Sequence, residues 1–145
     1  MAIKNEGDNL FGLKPYKIKK GEEYMNKEQV EHFREILQAW KKQLQEERSR
    51  TVTHIQNDAV NYADPIDLAS QQEAFSLDLK QSDRARKLIR RIDDALERLG
   101  ASEYGYCVDC GADIGVRRLE ARPIALKCID CKTFDEIREK QTGGS

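Results

Sequence analysis

The sequence has few aromatic residues, few prolines and no long apolar run. Of its 145 residues 7% are aromatic and 3 are proline, whereas 35% are charged. A chain so poor in large apolar side chains cannot build one large globular core, so we expect an elongated, mostly α-helical protein. No stretch reaches the roughly 18 apolar residues of a membrane span, and the N-terminal residues lack the apolar core of a secretory signal. These absences predict a cytoplasmic protein without a membrane segment.

The overall charge is nearly balanced, but it is distributed unevenly along the chain. The 25 basic residues almost cancel the 26 acidic ones, so net charge gives no argument for bulk nucleic-acid or membrane binding. Between Arg50 and Lys80, however, there is no Lys or Arg, and this stretch contains five acids: Asp58, Asp64, Asp67, Glu73 and Asp78. The sequence therefore presents an acidic segment without neutralising neighbours.

Two apolar stripes at helical spacing flank this acidic segment. The first is Val30, Phe33, Leu37, Trp40 and Leu44, and the second is Leu68, Phe75, Leu79, Ala85, Ile89, Ile92, Leu96 and Leu99. Such a spacing predicts a coiled-coil seam. Asn26 is the expected N-cap of the first helix, with Gln29 three residues later and Met25 placed to pack against Val30, and Gly100 is the expected end of the second. We predict one long antiparallel helical hairpin over residues 26–100, with its tip near 61–69, preceded by an N-terminal segment, residues 1–25, that packs on its base.

The four cysteines form the strongest local motif. Cys107 and Cys110 make one C-x-x-C pair, Cys128 and Cys131 make the other, and 17 residues separate the pairs. This spacing is typical of a tetrahedral zinc site closed by four thiolates. Two disulfides or a redox motif are less compatible with a cytoplasmic protein that has no βαβ pattern. We predict one structural zinc ion in a domain over residues 101–132, followed by a C-terminal helix and tail over 133–145 that opens at a capping box of Thr133 and Glu136.

No catalytic constellation is recognisable. His32 and His54 have no Ser or Cys partner in any motif, and we expect both to be exposed polar residues. Asp64 and Asp67 have no apparent pocket; Asp64 can cap the second helix, Pro65 can be its first residue, and Asp67 can lie in its first turn. The protein is therefore not predicted to be an enzyme. Basic residues around the cysteine domain, including Arg117, Arg118 and Lys127, either form a solvated face or bind a phosphate-rich ligand.

Three stretches resemble a known family. "ADPIDLAS", "YGYCVDCGADIGVRRLEARPIALKCIDCK" and "EIREKQ" are similar to segments of the DksA/TraR family of RNA polymerase-binding transcription regulators, and the resemblance extends from about Tyr24 to the end. It implies a coiled coil that enters the secondary channel of RNA polymerase and a base that contacts the channel rim. It also implies that the protein acts with guanosine tetraphosphate (ppGpp) in the stringent response, repressing ribosomal RNA promoters and activating some biosynthetic promoters.

The resemblance also implies roles for particular residues. The family's tip motif corresponds to Asp64, Asp67 and Ala69. Carboxylates near the polymerase magnesium would have to be presented without neutralising lysines or arginines, which accounts for the acidic segment. The positions that match the family's ppGpp contacts are Leu88, Arg91, Arg122 and Lys132; at position 91 the family has Lys, and Arg keeps the charge.

Two other protein classes remain as alternatives. A zinc-ribbon nucleic-acid-binding protein could use the apolar stripe as a coiled-coil dimerisation segment, and a thiol redox protein could use the cysteines. An acidic turn without basic neighbours would not help a protein to bind DNA, because affinity for phosphate requires basic residues. We therefore expect a monomeric hairpin that does not bind specific DNA sequences directly.

Overall fold

The computed structural model describes residues 13–58 and 65–142, with the backbone alone described for 54–58 and 65–68. Within these ranges the chain forms helices α1 (Lys27–Asp58), α2 (Pro65–Gly100), α3 (Val116–Ala121) and α4 (Ile129–Gln141). It divides into two compact units, Met1–Leu37 with Asp94–Ser145, and Gln38–Asp93. No helix in the described ranges is both long and apolar enough to cross a membrane.

The start of α1 has the predicted capping residues. The Asn26 side-chain oxygen accepts a hydrogen bond from the Gln29 backbone N–H at 2.9 Å, and the Gln29 side chain accepts one from the Met25 N–H at 2.7 Å. Gln29 is buried with these partners, so N–H groups at the helix start are satisfied internally. The Met25 side chain lies against Gly105, where an added Cβ would meet it at 3.0 Å.

Residues 38–93 form an antiparallel pair of helical arms. Lys41 Nζ lies 2.6 Å from Asp93 Oδ1, and Arg48 Nε donates to Ser82 Oγ at 3.3 Å. Because the partner's number falls as the residue number rises along α1, the two arms run in opposite directions. These pairings lie within one chain, as expected for the predicted hairpin, while the turn itself lies outside the described residues.

Burial follows the predicted stripes near Leu44 and Ile92 but not along the first half of α2. Leu44, Ala85 and Ile92 are buried in this unit, whereas the exposed fractions of Phe75 and Leu79 are 44% and 49%. The prediction that these last two residues belong to the seam is therefore wrong. Glu47 and Thr51 of α1 lie beside Ser82 and Ala85 of α2, so the seam is already partly polar at that level.

The other unit has a small mixed core. Its buried side chains come from both long helices and from the cysteine domain: Phe33, Ile36, Leu37, Ala95, Leu99, Tyr104, Ile114, Val116, Leu119 and Pro123. Tyr104 donates its O–H to the Pro123 carbonyl at 2.6 Å, and burial raises the pKa of Tyr104. Arg98 donates to the carbonyls of Glu103 and Tyr106, which ties the end of α2 to the following loop.

The C-terminal helix begins earlier than the sequence predicted. It starts at Ile129, with Cys128 as its extended N-cap residue and Cys131 in its first turn, rather than at the Thr133–Glu136 capping box. The Cys128 sulfur accepts from the Cys131 N–H at 3.5 Å. A predicted zinc ligand therefore also serves as the helix cap, which the usual preference for Ser, Thr, Asp and Asn does not anticipate.

Candidate functional site

The four cysteines lie close enough together to hold one metal ion. Their Sγ atoms are all within 4.8 Å of one another, and those of Cys110 and Cys128 are 3.7 Å apart. Four thiolates around zinc, with bonds of about 2.3 Å, are about 3.8 Å apart. The donor set and its spacing thus fit a tetrahedral zinc ion.

The first C-x-x-C turn is shaped by glycines and a short β-bridge. Tyr106 pairs with Asp113 in an isolated antiparallel bridge, and the Cys107 N–H donates to the Ala112 carbonyl at 2.8 Å. Gly111, with φ 76°, closes the turn by donating its N–H to the Cys107 carbonyl at 2.9 Å. A residue with a Cβ adopts this conformation only with strain, so glycine is the natural choice at this position.

The second C-x-x-C pair is joined to the first by the backbone as well as by the sulfur atoms. The Val108 N–H, between Cys107 and Cys110, donates to the Leu126 carbonyl at 2.9 Å, and within the second segment the Lys132 N–H donates to the Cys128 carbonyl at 3.0 Å. Cys107 and Cys128 are buried, whereas Cys110 is exposed. The two pairs therefore converge from a loop and from a helix start, with one ligand open to solvent.

The thiols strongly influence one another's ionisation. Backbone N–H groups of Cys128 and Cys110 lower the pKa of Cys107 to about 6, while hydrogen bonds with the other thiols, that of Cys128 foremost, raise the pKa of Cys131. Four thiolates at this separation repel one another unless a cation lies between them. A divalent, thiolate-preferring ion would remove that conflict.

Lys127 links both cysteine pairs to α4. Its ammonium lies 3.0 Å from Asp109 Oδ2 in the first pair and also forms an ion pair with Asp135 on α4. These carboxylates, Asp135 first, raise the pKa of Lys127, which keeps it charged. The Lys127 carbonyl accepts a hydrogen bond from Arg118 Nε at 3.1 Å. From the sequence, Lys127 was predicted only to be one of several basic residues around the cysteine domain. No motif in the sequence indicated that it links these segments.

The N-terminal segment contacts the cysteine domain through two tyrosines. The Tyr24 hydroxyl donates to the Gly105 carbonyl at 2.7 Å and accepts from the Gly115 N–H at 3.0 Å. The Tyr16 N–H donates to Glu120 Oε1 at 2.8 Å. These bonds fasten residues before α1 to the loop that carries the first cysteine pair.

The expectation that His32 is exposed is wrong. The His32 Nε2 atom is in hydrogen-bond contact with the Glu120 carboxylate, and each side chain is 13% exposed. The ring also lies 5.1 Å from that of Phe33. His32 is not part of the apolar stripe of α1, but its side chain is partly buried because Glu120 of α3 lies against it. The side chain of His54 lies outside the described residues.

The predicted tip residues fall partly outside the described residues. Asp64 lies there, so its capping role stays a prediction. α2 begins at Pro65, in agreement with a proline at the first helical position. Asp67 belongs to the first turn of that helix, and Ala69 is an exposed helical residue.

The four residues matched to ppGpp contacts belong to both compact units. Leu88 and Arg91 are on α2 and line a groove of about 450 Å³. Arg122 is the exposed residue that ends α3, and Lys132 is an exposed residue of α4. Their shared role stays a prediction.

Comparisons with known proteins cover both parts of the chain. A family model described as the N-terminal domain of the DnaK suppressor protein DksA matches residues 29–99, and one described as the prokaryotic dksA/traR C4-type zinc finger matches residues 102–136. The RNA polymerase-binding transcription factor DksA of Haemophilus influenzae is 57% identical, with 94% of each chain covered. The protein of the same name from Escherichia coli K12 is 56% identical over 93% of this chain and 89% of its own.

The chain belongs to the DksA/TraR family. A solved structure of transcription factor DksA2 from Pseudomonas aeruginosa matches with a TM-score of 0.77 at 36% identity, covering 81% of this chain and 90% of the other. The family's zinc finger is of the C4 type, and its match spans all four cysteines. DksA/TraR membership and the sulfur geometry therefore agree on the ligands: Cys107, Cys110, Cys128 and Cys131.

Proposed function

We propose that this protein binds RNA polymerase directly and regulates transcription. The observation that carries the proposal is its similarity, at 56–57% identity over 93–94% of the chain, to proteins named RNA polymerase-binding transcription factor DksA. The antiparallel arms of residues 38–93 and the four-cysteine site support it, because both are parts of the family's fold. The role is regulatory rather than catalytic.

The zinc ion would have an architectural role. Four cysteines fill a tetrahedral coordination sphere, which leaves no open position for a reactive water. Zinc would join Cys107 and Cys110 of the loop to Cys128 and Cys131 at the start of α4. Lys127 connects the same loop and helix by its ion pairs with Asp109 and Asp135.

We further propose that the hairpin tip enters the secondary channel of the polymerase while the base contacts the channel rim. Asp64, Asp67 and Ala69 would act near the active-site magnesium. The stretch between Arg50 and Lys80 contains no basic residue, so its carboxylates keep their charge for that encounter. The effect would be on promoter-complex stability, repressing ribosomal RNA promoters and activating some biosynthetic ones.

Leu88, Arg91, Arg122 and Lys132 are proposed to contact ppGpp at the polymerase surface during the stringent response. The three cations are exposed, and their side chains form no hydrogen bond or salt bridge with another described residue. Guanidinium and ammonium groups in this state are available for charge-assisted bonds to phosphate.

The proposal is tested by capture of purified RNA polymerase on the immobilised protein. We expect stoichiometric binding that is lost when another coiled-coil factor occupies the secondary channel. Binding that persists with the channel blocked would contradict channel entry. We expect the protein to act in the cytoplasm, where RNA polymerase is found. Sedimentation of the free protein at micromolar concentration should give a monomer, whereas a stable dimer would favour the coiled-coil dimerisation alternative.

A further inference from the structure

The first cysteine pair lies in a loop, residues 105–115, whose two ends are held side by side. The Ile114 N–H donates to the Gly105 carbonyl at 2.8 Å, and Tyr106 forms the isolated bridge with Asp113. These bonds flank the two cysteines, so they close the loop around the ligands. The separation of the loop ends therefore helps to set where the two sulfur atoms lie.

A side chain from outside the loop joins the same two ends. The Tyr24 hydroxyl donates to the Gly105 carbonyl at 2.7 Å and accepts from the Gly115 N–H at 3.0 Å. Its ring meets that of Tyr106 edge to face, with the ring centroids 5.6 Å apart. Gly105 and Gly115 are 81 and 91 positions from Tyr24 in the sequence, so the cysteine motif does not contain this contact.

Both ends of the loop have a backbone conformation that benefits from such a contact. The φ angles of Gly105 and Gly115 are 93° and 104°. Glycine adopts these angles freely, but it also loses the most conformational freedom on folding. Loss of the Tyr24 hydroxyl would remove the bond of the Gly115 N–H and would weaken the hold on the Gly105 carbonyl. The loop ends would then separate more easily.

The residues beside Tyr24 fix its position. Met25 has φ 54°, a value that a non-glycine residue keeps only when its surroundings stabilise it. Its N–H donates to the Gln29 side chain at 2.7 Å, and Gln29 Nε2 donates to the Glu23 carbonyl at 3.3 Å. The Met25 side chain lies against Gly105. The start of α1 therefore directs Tyr24 towards the loop.

We propose that Tyr24 is a positioning residue for the zinc site, acting through the two ends of the first cysteine loop. Its hydroxyl keeps these ends together, so that Cys107 and Cys110 are held where one metal ion can bind all four thiolates. Tyr24 itself does not touch the metal. The zinc affinity then depends on the segment before α1, which lies outside the cysteine domain, and this role is independent of polymerase binding.

The test compares two tyrosine-to-phenylalanine variants of the full-length protein. Tyr24→Phe removes the hydroxyl at the loop ends and keeps the ring. Tyr16→Phe is the matched control, because the Tyr16 hydroxyl, in the same segment, bonds Glu22 and Glu28 instead. Zinc affinity is measured by competition with a chelator. Cobalt(II) is also loaded in place of zinc, because its visible absorption bands report the ligand geometry, and circular dichroism checks that the helices are intact.

We expect Tyr24→Phe to weaken zinc affinity roughly 10- to 100-fold, as when other hydrogen bonds that orient metal ligands are removed, and to change the cobalt bands. Tyr16→Phe should match the wild type in both measurements. Unchanged zinc affinity in Tyr24→Phe, or an equal loss in both variants, would overturn the proposal. So would a weaker affinity with unchanged cobalt bands, because a variant that only destabilises the fold loses metal without altering the geometry of the bound state.

The wild type offers a second test that needs no variant. Because linkage is reciprocal, a metal that gains affinity from Tyr24 must also stabilise the contacts of Tyr24. Removing zinc with a chelator should therefore speed hydrogen exchange at the Met25 N–H, as measured by NMR. The Lys19 N–H, which bonds Glu22 at 2.8 Å in the same segment, should keep its exchange rate. An unchanged rate at Met25, or equal acceleration at both positions, would overturn the proposal.

Discussion

At the scale of single residues, charge pairing at the edge of the cysteine site has consequences for the metal. Lys127 lies next to the ligand Cys128, and its two carboxylate partners belong to the other cysteine pair and to α4. Its positive charge also opposes the net negative charge that four thiolates and one zinc ion would carry. Lys127 therefore stabilises the same arrangement as the metal, through bonds of a different kind.

Replacing Lys127 with Met should speed the release of zinc to a chelator. Partly exposed ion pairs are individually weak, so losing two should raise the release rate by roughly 2- to 30-fold. Lys127→Arg should restore most of the wild-type rate, and Lys140→Met on α4 should not change it. Stopped-flow measurement with a colorimetric chelator checks this; equal rates for Lys127→Met and the wild type would show that the ion pairs do not stabilise the site.

Glu22 should contribute a pH-dependent part of the stability. Hydrogen bonds from Asn26, Tyr16 and Lys19 lower the pKa of Glu22 to about 2 from an ordinary value of 4.5. A lowered pKa in the folded state stabilises the fold above the ordinary value, and this contribution disappears as the pH falls from about 4.5 towards 2. Tyr16, whose own pKa is raised to about 12 by Glu22, stays a hydrogen-bond donor throughout this range.

The measurement compares the melting temperatures of the wild type and Glu22→Gln from pH 7 to pH 3. We expect the wild type to be the more stable at neutral pH and the difference to shrink below about pH 4.5. Glu23→Gln, which removes the same charge one residue away, is the control. A difference that stays constant across the range would mean that the Glu22 charge does not stabilise the fold.

At the scale of whole elements, the starts of α1 and α4 each depend on a side chain with a second role. Asn26 and Gln29 cap α1 while burying Gln29 in the base. Cys128 caps α4 while serving as a proposed zinc ligand. Asp64 has the corresponding position before α2, and its two proposed roles, cap and channel carboxylate, can be separated by mutation.

Asp64→Asn, Asp67→Asn and the double change should abolish inhibition at a ribosomal promoter without unfolding the hairpin. Asn caps about as well as Asp, and the loss of an anion in the first helical turn costs only about 0.3–1 kcal/mol. Polymerase binding should be preserved or strengthened, because a neutral tip is less costly to desolvate. The checks are single-round transcription, polymerase capture and circular dichroism. Full inhibition by the folded double variant would leave these residues with a capping role alone.

The zinc site should determine the fold of its own domain and not that of the helical arms. Cys110→Ser removes one ligand, and structural zinc sites contribute folding free energy directly. We expect less than one zinc per chain, loss of protection around residues 105–132 in hydrogen exchange, and retained protection in the arms. Elemental analysis of the reduced wild type should give one zinc per chain. An unchanged exchange pattern in the variant would show that the domain folds without the complete site.

At the scale of the whole molecule, Arg91, Arg122 and Lys132 are each proposed to contact ppGpp at the polymerase surface. Changing Arg91, Arg122 and Lys132 to Ala should weaken the effect of ppGpp on transcription while leaving polymerase capture intact. Charge-assisted bonds of this kind contribute about 1.5–3 kcal/mol each. The measurement is the ppGpp concentration for half-maximal effect with a polymerase that lacks its separate nucleotide site. An unchanged concentration for the triple variant would remove these residues from the effector site.

The local chemistry of this protein could be predicted from its sequence alone. The spacing of Cys107, Cys110, Cys128 and Cys131 indicated one tetrahedral site, because ligand type and number depend only on local sequence. Asn26 indicated where α1 begins, and Pro65 and Gly100 indicated where α2 begins and ends, because capping is a short-range interaction. The same locality made the family resemblance recognisable.

Long-range pairing could be decided only by the tertiary structure. Phe75 and Leu79 continue the apolar stripe of the sequence, yet both side chains are exposed in the tertiary structure. His32 meets Glu120 across 88 positions of sequence, and Lys127 meets both Asp109 and Asp135. A side chain's periodicity shows which face of its own helix it occupies, but its partners and burial depend on which distant segment the fold brings against that face.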